Sequence, residues 1–327
     1  MPSSRPPSAS AVARIGFGCV KLGGAQTRVG DQRLVRLVRE AIDLGVVFFD
    51  TADAYGSGRS EAILGSALGA SRSDVVLATK GGYLFDEARV NGFGAWIVGP
   101  VSAAWNRLRP GGTRQYQAQD FSPQYLRHAV DASLRRLRTD HIDIYQLHAP
   151  REMCGEATFA ALEDLVRVGK IGQIGVGFES IEGADRWLDV EVVTRVQVPF
   201  GILDPQARTS LLPEAASRGV DVMVRGVLAS GLLDADESDI GEHLDRPKFT
   251  LLERLRVIAR DGGLAMHDLA LRWVLAQSLA GTVLVGINSS AHLHAVVKAA
   301  SAPPLEKEIT TRVDELLDSY VAERASQ

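Results

Sequence analysis

Cysteine is scarce: Cys19 and Cys154 are the only two in 327 residues. Two thiols cannot build a disulfide framework, and neither sits at metal-ligand spacing. A reducing, cytoplasmic setting is the expectation. Long apolar runs are missing too; none approaches the roughly 18 to 20 residues that a membrane-spanning helix needs. Nor does one sign of charge dominate. Lys and Arg number 36, Asp and Glu 40, and the net charge is −4 with the signs interspersed. No basic stripe offers itself to nucleic acid or to a membrane surface. A metal-ligand cluster, a phosphate P-loop and a GxSxG nucleophile elbow are all absent, so no metal is expected. Gly16-Phe17-Gly18-Cys19-Val20-Lys21 begins like a dinucleotide fingerprint. It lacks the third glycine, and no opening helix is expected after it. Residues 1–11 are rich in Ser and Pro without an apolar h-region, so 1–12 reads as a flexible tail and not a signal peptide.

What is present can bury a core: 46% of residues are hydrophobic and 23% charged. Short apolar runs alternate with amphipathic helical stretches. Strands are predicted at 14–18, 46–49, 74–79, 142–147, 171–176, 192–198, 220–224 and 282–285. Helical patterns open at Asp31, at Ser60 and at Ser122-Pro123, where an N-cap precedes a proline at the first helical position. Others are predicted at 157–168, 181–188, 207–217, 251–260, 267–277, 291–300 and 305–321. Parallel strands need such crossovers, and continuous apolar runs fit strands covered by helices. Eight strands in this pattern favour an α/β fold, a (β/α)8 TIM barrel as a single domain over 13–327, above an open doubly wound sheet.

One connection is unusually long. Residues 81–121, after the third strand, show neither periodicity. They carry Tyr83, Phe85, Phe93, Trp96, Trp105 and Tyr116, too many aromatics for simple disorder. The loop leaves the strand end where barrel active sites lie, so it reads as a substrate lid with Phe93, Trp96 and Trp105 as substrate candidates. An inserted excursion packed on the barrel is the other reading.

Polar residues stand at three neighbouring strand ends. Asp50 ends the second strand with Tyr55 just beyond it, Lys80 ends the third, and His148 the fourth. A phenol titrates near pH ~10 and is a reluctant acid or base at neutrality. A close ammonium stabilises the phenolate, and a carboxylate keeps that ammonium charged and in place. An imidazole can hydrogen-bond a carbonyl oxygen. Tyr55 could then protonate an oxygen as hydride reaches carbon, or take the proton in reverse. Singly, such a His is more often structural and an Asp-Lys pair merely an ion pair; four in register point to chemistry.

At these residues the sequence resembles the aldo-keto reductase family. The stretches FFDTADAYGSGRSEAILGSAL (48–68), VVLATK (75–80), LRHAVDASLRRLRTDHIDIYQLH (126–148) and LEDLVRVGKIGQIGVG (162–177) carry the likeness. The resemblance implies a (β/α)8 barrel and NAD(P)-dependent interconversion of aldehydes or ketones with alcohols. It makes Tyr55 the general acid/base, Lys80 and Asp50 its tuning pair, and His148 the substrate-orienting donor. It also assigns Gln197 to the nicotinamide carboxamide. Where relatives often place Ser-Asn for the same purpose, this chain has Gly177-Phe178. Arg225 replaces a stacking aromatic, and a guanidinium can stack too. Gly226 to Gly231, with Leu228, resembles the pyrophosphate-covering loop. In GINSSAHLHAV (286–296), Gly286, Asn288, Ser289 and His292 occupy the segment that contacts the 2′-phosphate, without the usual Arg fork. NADP(H) is favoured over NAD(H) from family habit alone.

The expected partner is a small carbonyl or sugar substrate, and the default state a monomer. Arg107, Arg109 and Arg114 leave a phosphorylated or nucleotide-linked substrate open. A cofactor-binding regulatory barrel subunit with little turnover is the rival from another class. A sugar isomerase would need clustered metal ligands, and an aldolase an amine free of a tight carboxylate; neither pattern is evident.

Overall fold

The computed structural model describes residues 11–23, 31–85, 118–236, 240 and 244–325. Eight strands alternate with helices: β1 (Ile15–Gly18), β2 (Phe48–Asp50), β3 (Val76–Gly81), β4 (Ile142–His148), β5 (Ile171–Gly177), β6 (Val193–Pro199), β7 (Asp221–Arg225) and β8 (Thr282–Gly286). They form a closed barrel in sequence order, so the chain is a (β/α)8 barrel. Among the described residues no helix is long and apolar enough to cross a membrane.

The residues cluster into two compact units. One comprises Cys19–Arg39 and Phe49–Gly177. In it β3 pairs parallel with β4, Lys80 opposite Gln146, and β4 with β5, His148 opposite Gly177. Leu64, Leu77, Leu126 and Tyr145 are fully buried there. The other comprises Met1–Gly18, Glu40–Phe48 and Phe178–Gln327. It contains the parallel pairs β1–β8, β6–β7 and β7–β8. Its core includes Ile15, Phe17 and a Phe200–Trp273 ring pair 5.5 Å apart. Each large apolar side chain withdrawn from water contributes about 1.5–3 kcal/mol.

Several boundaries differ from the pattern, each for a local reason. Arg14 ends a 3-10 turn instead of opening β1; its guanidinium donates to the carbonyls of Leu275, Gln277 and Ala280. A one-turn helix, Val20–Gly23, follows β1, where no helix was expected. Ser60 does not cap its helix, which runs Arg59–Leu68 from Gly58. Instead its buried hydroxyl donates to Cys19 O at 2.9 Å. The helix expected at 181–188 is a 3-10 turn at Asp185–Asp189, preceded by Gly183 with φ 74°. The helix expected from 251 begins at Arg246, because the Asp245 side chain caps Lys248 N and Pro247 occupies the first turn. Ser122 caps Pro123–Leu137 as the sequence indicates, accepting from Tyr125 N at 3.3 Å.

Candidate active site

The C-terminal ends of β2, β3 and β4 gather the four polar residues in one unit. Asp50 and Lys80 are 4% and 1% exposed. Lys80 Nζ donates to Asp50 Oδ2 at 2.6 Å, to Oδ1 at 2.8 Å and to Thr51 O at 3.0 Å. An ammonium so deep cannot stay charged without a partner. Burial disfavours its charged form, yet Asp50 and then Tyr55 outweigh that and hold Lys80 above the usual lysine range. Lys80 Nζ lies 5.3 Å from the centroid of the Tyr55 ring.

Tyr55 sits in a turn whose backbone is closely pinned. Gly56 adopts φ 62°, and a Cβ there would lie 2.1 Å from Gly23 O. Only glycine allows that approach. The one-turn helix Val20–Gly23 thereby anchors the tyrosine. His148 ends β4, half-buried, with its ring 5.8 Å from that of Tyr55 at 83°. Tyr83 also meets the imidazole edge-on, at 4.8 Å. Gln119 Nε2 donates to the carbonyls of His148 and Ala149, at 3.1 and 2.9 Å. Tyr83 and Gln119 form an antiparallel bridge where the long connection leaves and returns. Most of the 81–121 segment, with Phe93, Trp96 and Trp105, lies outside the described residues.

Two residues that sequence reasoning passed over belong with the four. Tyr83 was counted only as a loop aromatic. Gln146 stands two residues before His148 on β4 and so shares its strand face; its Nε2 donates to Asp50 Oδ1 at 3.1 Å. The period-2 rule applied backwards from His148 finds it.

A second polar layer lies on the other face of β3. Thr79 Oγ1 donates to Glu61 Oε1 at 2.6 Å, and Arg136 Nε to Oε2 at 2.6 Å. Glu61 is fully buried. This ties the helices Arg59–Leu68 and Pro123–Leu137 to the residue before Lys80. Tyr145 is also buried; desolvation first, then the charge of Asp53, push its phenol well above the usual range.

The residues expected to hold a dinucleotide lie in the other compact unit. Gln197 is 3% exposed on β6. Arg225, ending β7, donates to Phe178 O at 2.6 Å and Glu179 O at 3.0 Å, which fixes its guanidinium. Phe178 is buried against Trp187, rings 6.0 Å apart, and is a packing residue. Gly226 has φ 78° and turns the chain after β7; Leu228, two residues on, is half-buried. Gly286 ends β8, with Asn288 exposed beyond it. Ser289 caps the helix Ser290–Ser301 by accepting from His292 N at 3.1 Å. Burial, then the charge of His267, hold His292 below the usual imidazole range, which favours its neutral form. A carboxylate lies beside the same turn. Glu40 Oε1 accepts from Ser290 Oγ at 2.6 Å and lies 2.9 Å from His294 Nε2. The Ser290 bond, reinforced by His294, holds Glu40 below the usual carboxyl range. An amide, a planar guanidinium and a capped helix N-terminus fit a dinucleotide.

The model of the aldo/keto reductase family matches residues 14–318. The uncharacterized oxidoreductase YqkF of Bacillus subtilis is 28% identical over 306 residues, covering 91% of this chain and 90% of its own. The holo form of aldo-keto reductase AKR11C1 from Bacillus halodurans matches with a TM-score of 0.73 at 29% identity, over 93% of this chain and 91% of that one. Glycerol dehydrogenase AKR11B4 from Gluconobacter oxydans also gives 0.73, at 26% identity over 94% and 92%.

Proposed function

Since the chain belongs to the aldo/keto reductase family and is an oxidoreductase acting on carbonyl or alcohol groups, we propose that Tyr55 is its proton donor and acceptor. The observation that carries this is the Lys80 ammonium, closed in by Asp50 and 5.3 Å from the Tyr55 ring. A bound nicotinamide supplies the hydride in reduction and accepts it in oxidation. In reduction Tyr55 Oη gives its proton to the carbonyl oxygen. Lys80 stabilises the phenolate left behind, Asp50 holds Lys80 charged, and His148 donates to the same oxygen and orients it. In alcohol oxidation the proton moves the other way.

The cofactor is NAD(P)H, and Gln197, Arg225, the 226–228 turn and the 286–292 segment are the residues we assign to it. Family habit favours NADP(H). The side chains at the turn after β8 support NAD(H) instead. His292 favours its neutral form, residues 286–296 hold no Arg or Lys, and Glu40 brings negative charge, which opposes a 2′-phosphate. For the substrate we propose a small hydroxylated carbonyl or its alcohol, with support from the likeness to a glycerol dehydrogenase.

Tyr55→Phe tests the core of this. The variant should lose at least about 1,000-fold in kcat on any carbonyl the protein turns over, within the usual range of acid–base catalysis plus phenolate stabilisation. Cofactor affinity, read by fluorescence titration, should stay within a few fold. Equal turnover in both proteins would sink the assignment. Negligible turnover in both would favour a cofactor-binding regulatory subunit.

A further inference from the structure

Gln146 is wholly buried, with one end of its amide bonded and the other unmet. It is the register partner of Lys80 across β3 and β4. Its Nε2 donates to Asp50 Oδ1 at 3.1 Å, the same oxygen that accepts Lys80 Nζ at 2.8 Å. A carboxylate can only accept, so the amide nitrogen must face Asp50 and Oε1 must face away. There Oε1 has no hydrogen-bond donor among the described residues. Gly177, opposite His148 on β5, is the neighbour on that side: a Cβ built on it would lie 3.6 Å from Oε1 and 3.6 Å from Lys80 Cε. The glycine has no side chain to offer a donor. A buried acceptor left without a donor destabilises a fold, and a methionine of similar length would avoid it. The bond to the buried carboxylate and the unmet Oε1 roughly offset each other, so stability alone gives glutamine little advantage here. What glutamine adds is its bond to Asp50.

We propose that Gln146 is a positioning residue for proton transfer, fixing the Asp50 carboxylate and sharing its charge so that the Lys80 ammonium stays available to Tyr55. This rests on the reading of Tyr55 as the acid/base. An N–H placed on Oδ1 takes up part of the carboxylate's negative charge. Without it, Asp50 pairs more fully with Lys80, and the positive field at Tyr55 weakens. Other charged or titratable groups around the set are His148 on β4, Tyr83 beyond β3, Asp53 beyond β2, and the thiol of Cys19, which senses both Asp50 and Lys80. All of these remain when Gln146 is replaced, so a change reports on the amide.

The test is Gln146→Met, with Tyr55→Phe as reference. Two readouts are needed. One is the pH dependence of kcat/KM for carbonyl reduction, whose alkaline fall reports loss of the Tyr55 proton. The other is the ultraviolet phenolate titration of each protein minus the same protein carrying Tyr55→Phe, which needs no substrate. Both should move upward by about half a unit to one unit, as expected for a carboxylate losing one donor beside an ion pair. Cofactor affinity should stay within about twofold. A displacement below about 0.2 unit in the phenolate titration overturns the proposal. If the native protein turns over no carbonyl, the acid/base reading fails, but the phenolate titration still decides the coupling. A measurement on the unaltered chain guards against a variant that does not fold. With 15N-labelled glutamine, the Gln146 side-chain resonance should follow the ionisation of Tyr55 and lose that step in Tyr55→Phe. A resonance blind to that ionisation refutes the proposal.

Discussion

Replacing Asp50 with asparagine should expose how much the fold depends on one buried pair. Lys80 is 1% exposed and donates twice to Asp50, so Asp50→Asn strands an ammonium with Thr51 O and a single amide oxygen. Breaking a buried pair on one side costs about 3–5 kcal/mol. Unfolding entropy near ~2 cal/mol/K per residue gives about 0.7 kcal/mol/K for a chain of this length, so Tm should fall by about 4–7 °C at pH 7. The pH dependence carries the sharper test. In the native protein the Lys80 pKa is raised above its unfolded value, so the pair stabilises below that unfolded value and is lost as pH rises through the folded one. In the variant Tyr55 alone opposes burial, the largest influence on Lys80, and the folded pKa falls. Between the two values the unfolded chain then binds more protons, and stability climbs with pH. The Tm gap between the proteins should therefore narrow from pH 7 to pH 9.5, as followed by circular dichroism. A gap that is constant, or below about 1 °C at pH 7, would refute the view that Lys80 is a buried cation held by Asp50.

Two other substitutions reach different parts of the molecule. Gly56→Ala forces a Cβ against Gly23 O, 2.1 Å away, at φ 62°. Beyond the ~1–2 kcal/mol of left-handed strain, the Tyr55 turn must shift, so kcat should fall at least about tenfold while cofactor affinity holds; an unchanged kcat would show that the turn does not set the tyrosine. Glu40→Gln removes the carboxylate at the turn after β8. The ratio of NADPH to NADH affinity should rise about three- to tenfold, whereas a falling ratio in paired fluorescence titrations would place the phosphate elsewhere.

The barrel was legible because eight apolar runs alternate with helical stretches, and buried parallel strands read that way. Asp50, Lys80 and His148 were legible as polar residues at the ends of such runs. Gln146 was not, because it lies inside the apolar run of β4, where a polar residue reads as noise until its partner on another strand is known. Helix starts were legible at Ser122, where cap and proline coincide, and missed at Gly58, where no side chain caps. Ser60 looked like a cap because only the fold reveals its contacts with Thr51 and the Cys19 carbonyl. His292 could be named from sequence, but not its preference for the neutral form, which comes from burial.

Thr79 and Lys80 show why so much polarity is tolerated around one strand. Consecutive residues on a strand point to opposite faces. Lys80 reaches Asp50 on one face, and Thr79 reaches Glu61 and, through it, Arg136 on the other. Apolar side chains would fill both places with less desolvation. They would leave the side chains at the strand end held only by contacts that are not directional, with register resting on the ladder to β4. Short, charge-assisted bonds on both faces fix the strand's height and rotation together. A general acid works only when its partner ammonium is held within a fraction of an ångström. On the proposed reading of Tyr55, the Glu61–Arg136 pair, bonded on the face of β3 opposite Lys80, serves the same requirement as Asp50. The two layers explain why the buried charges of this unit concentrate beside Lys80.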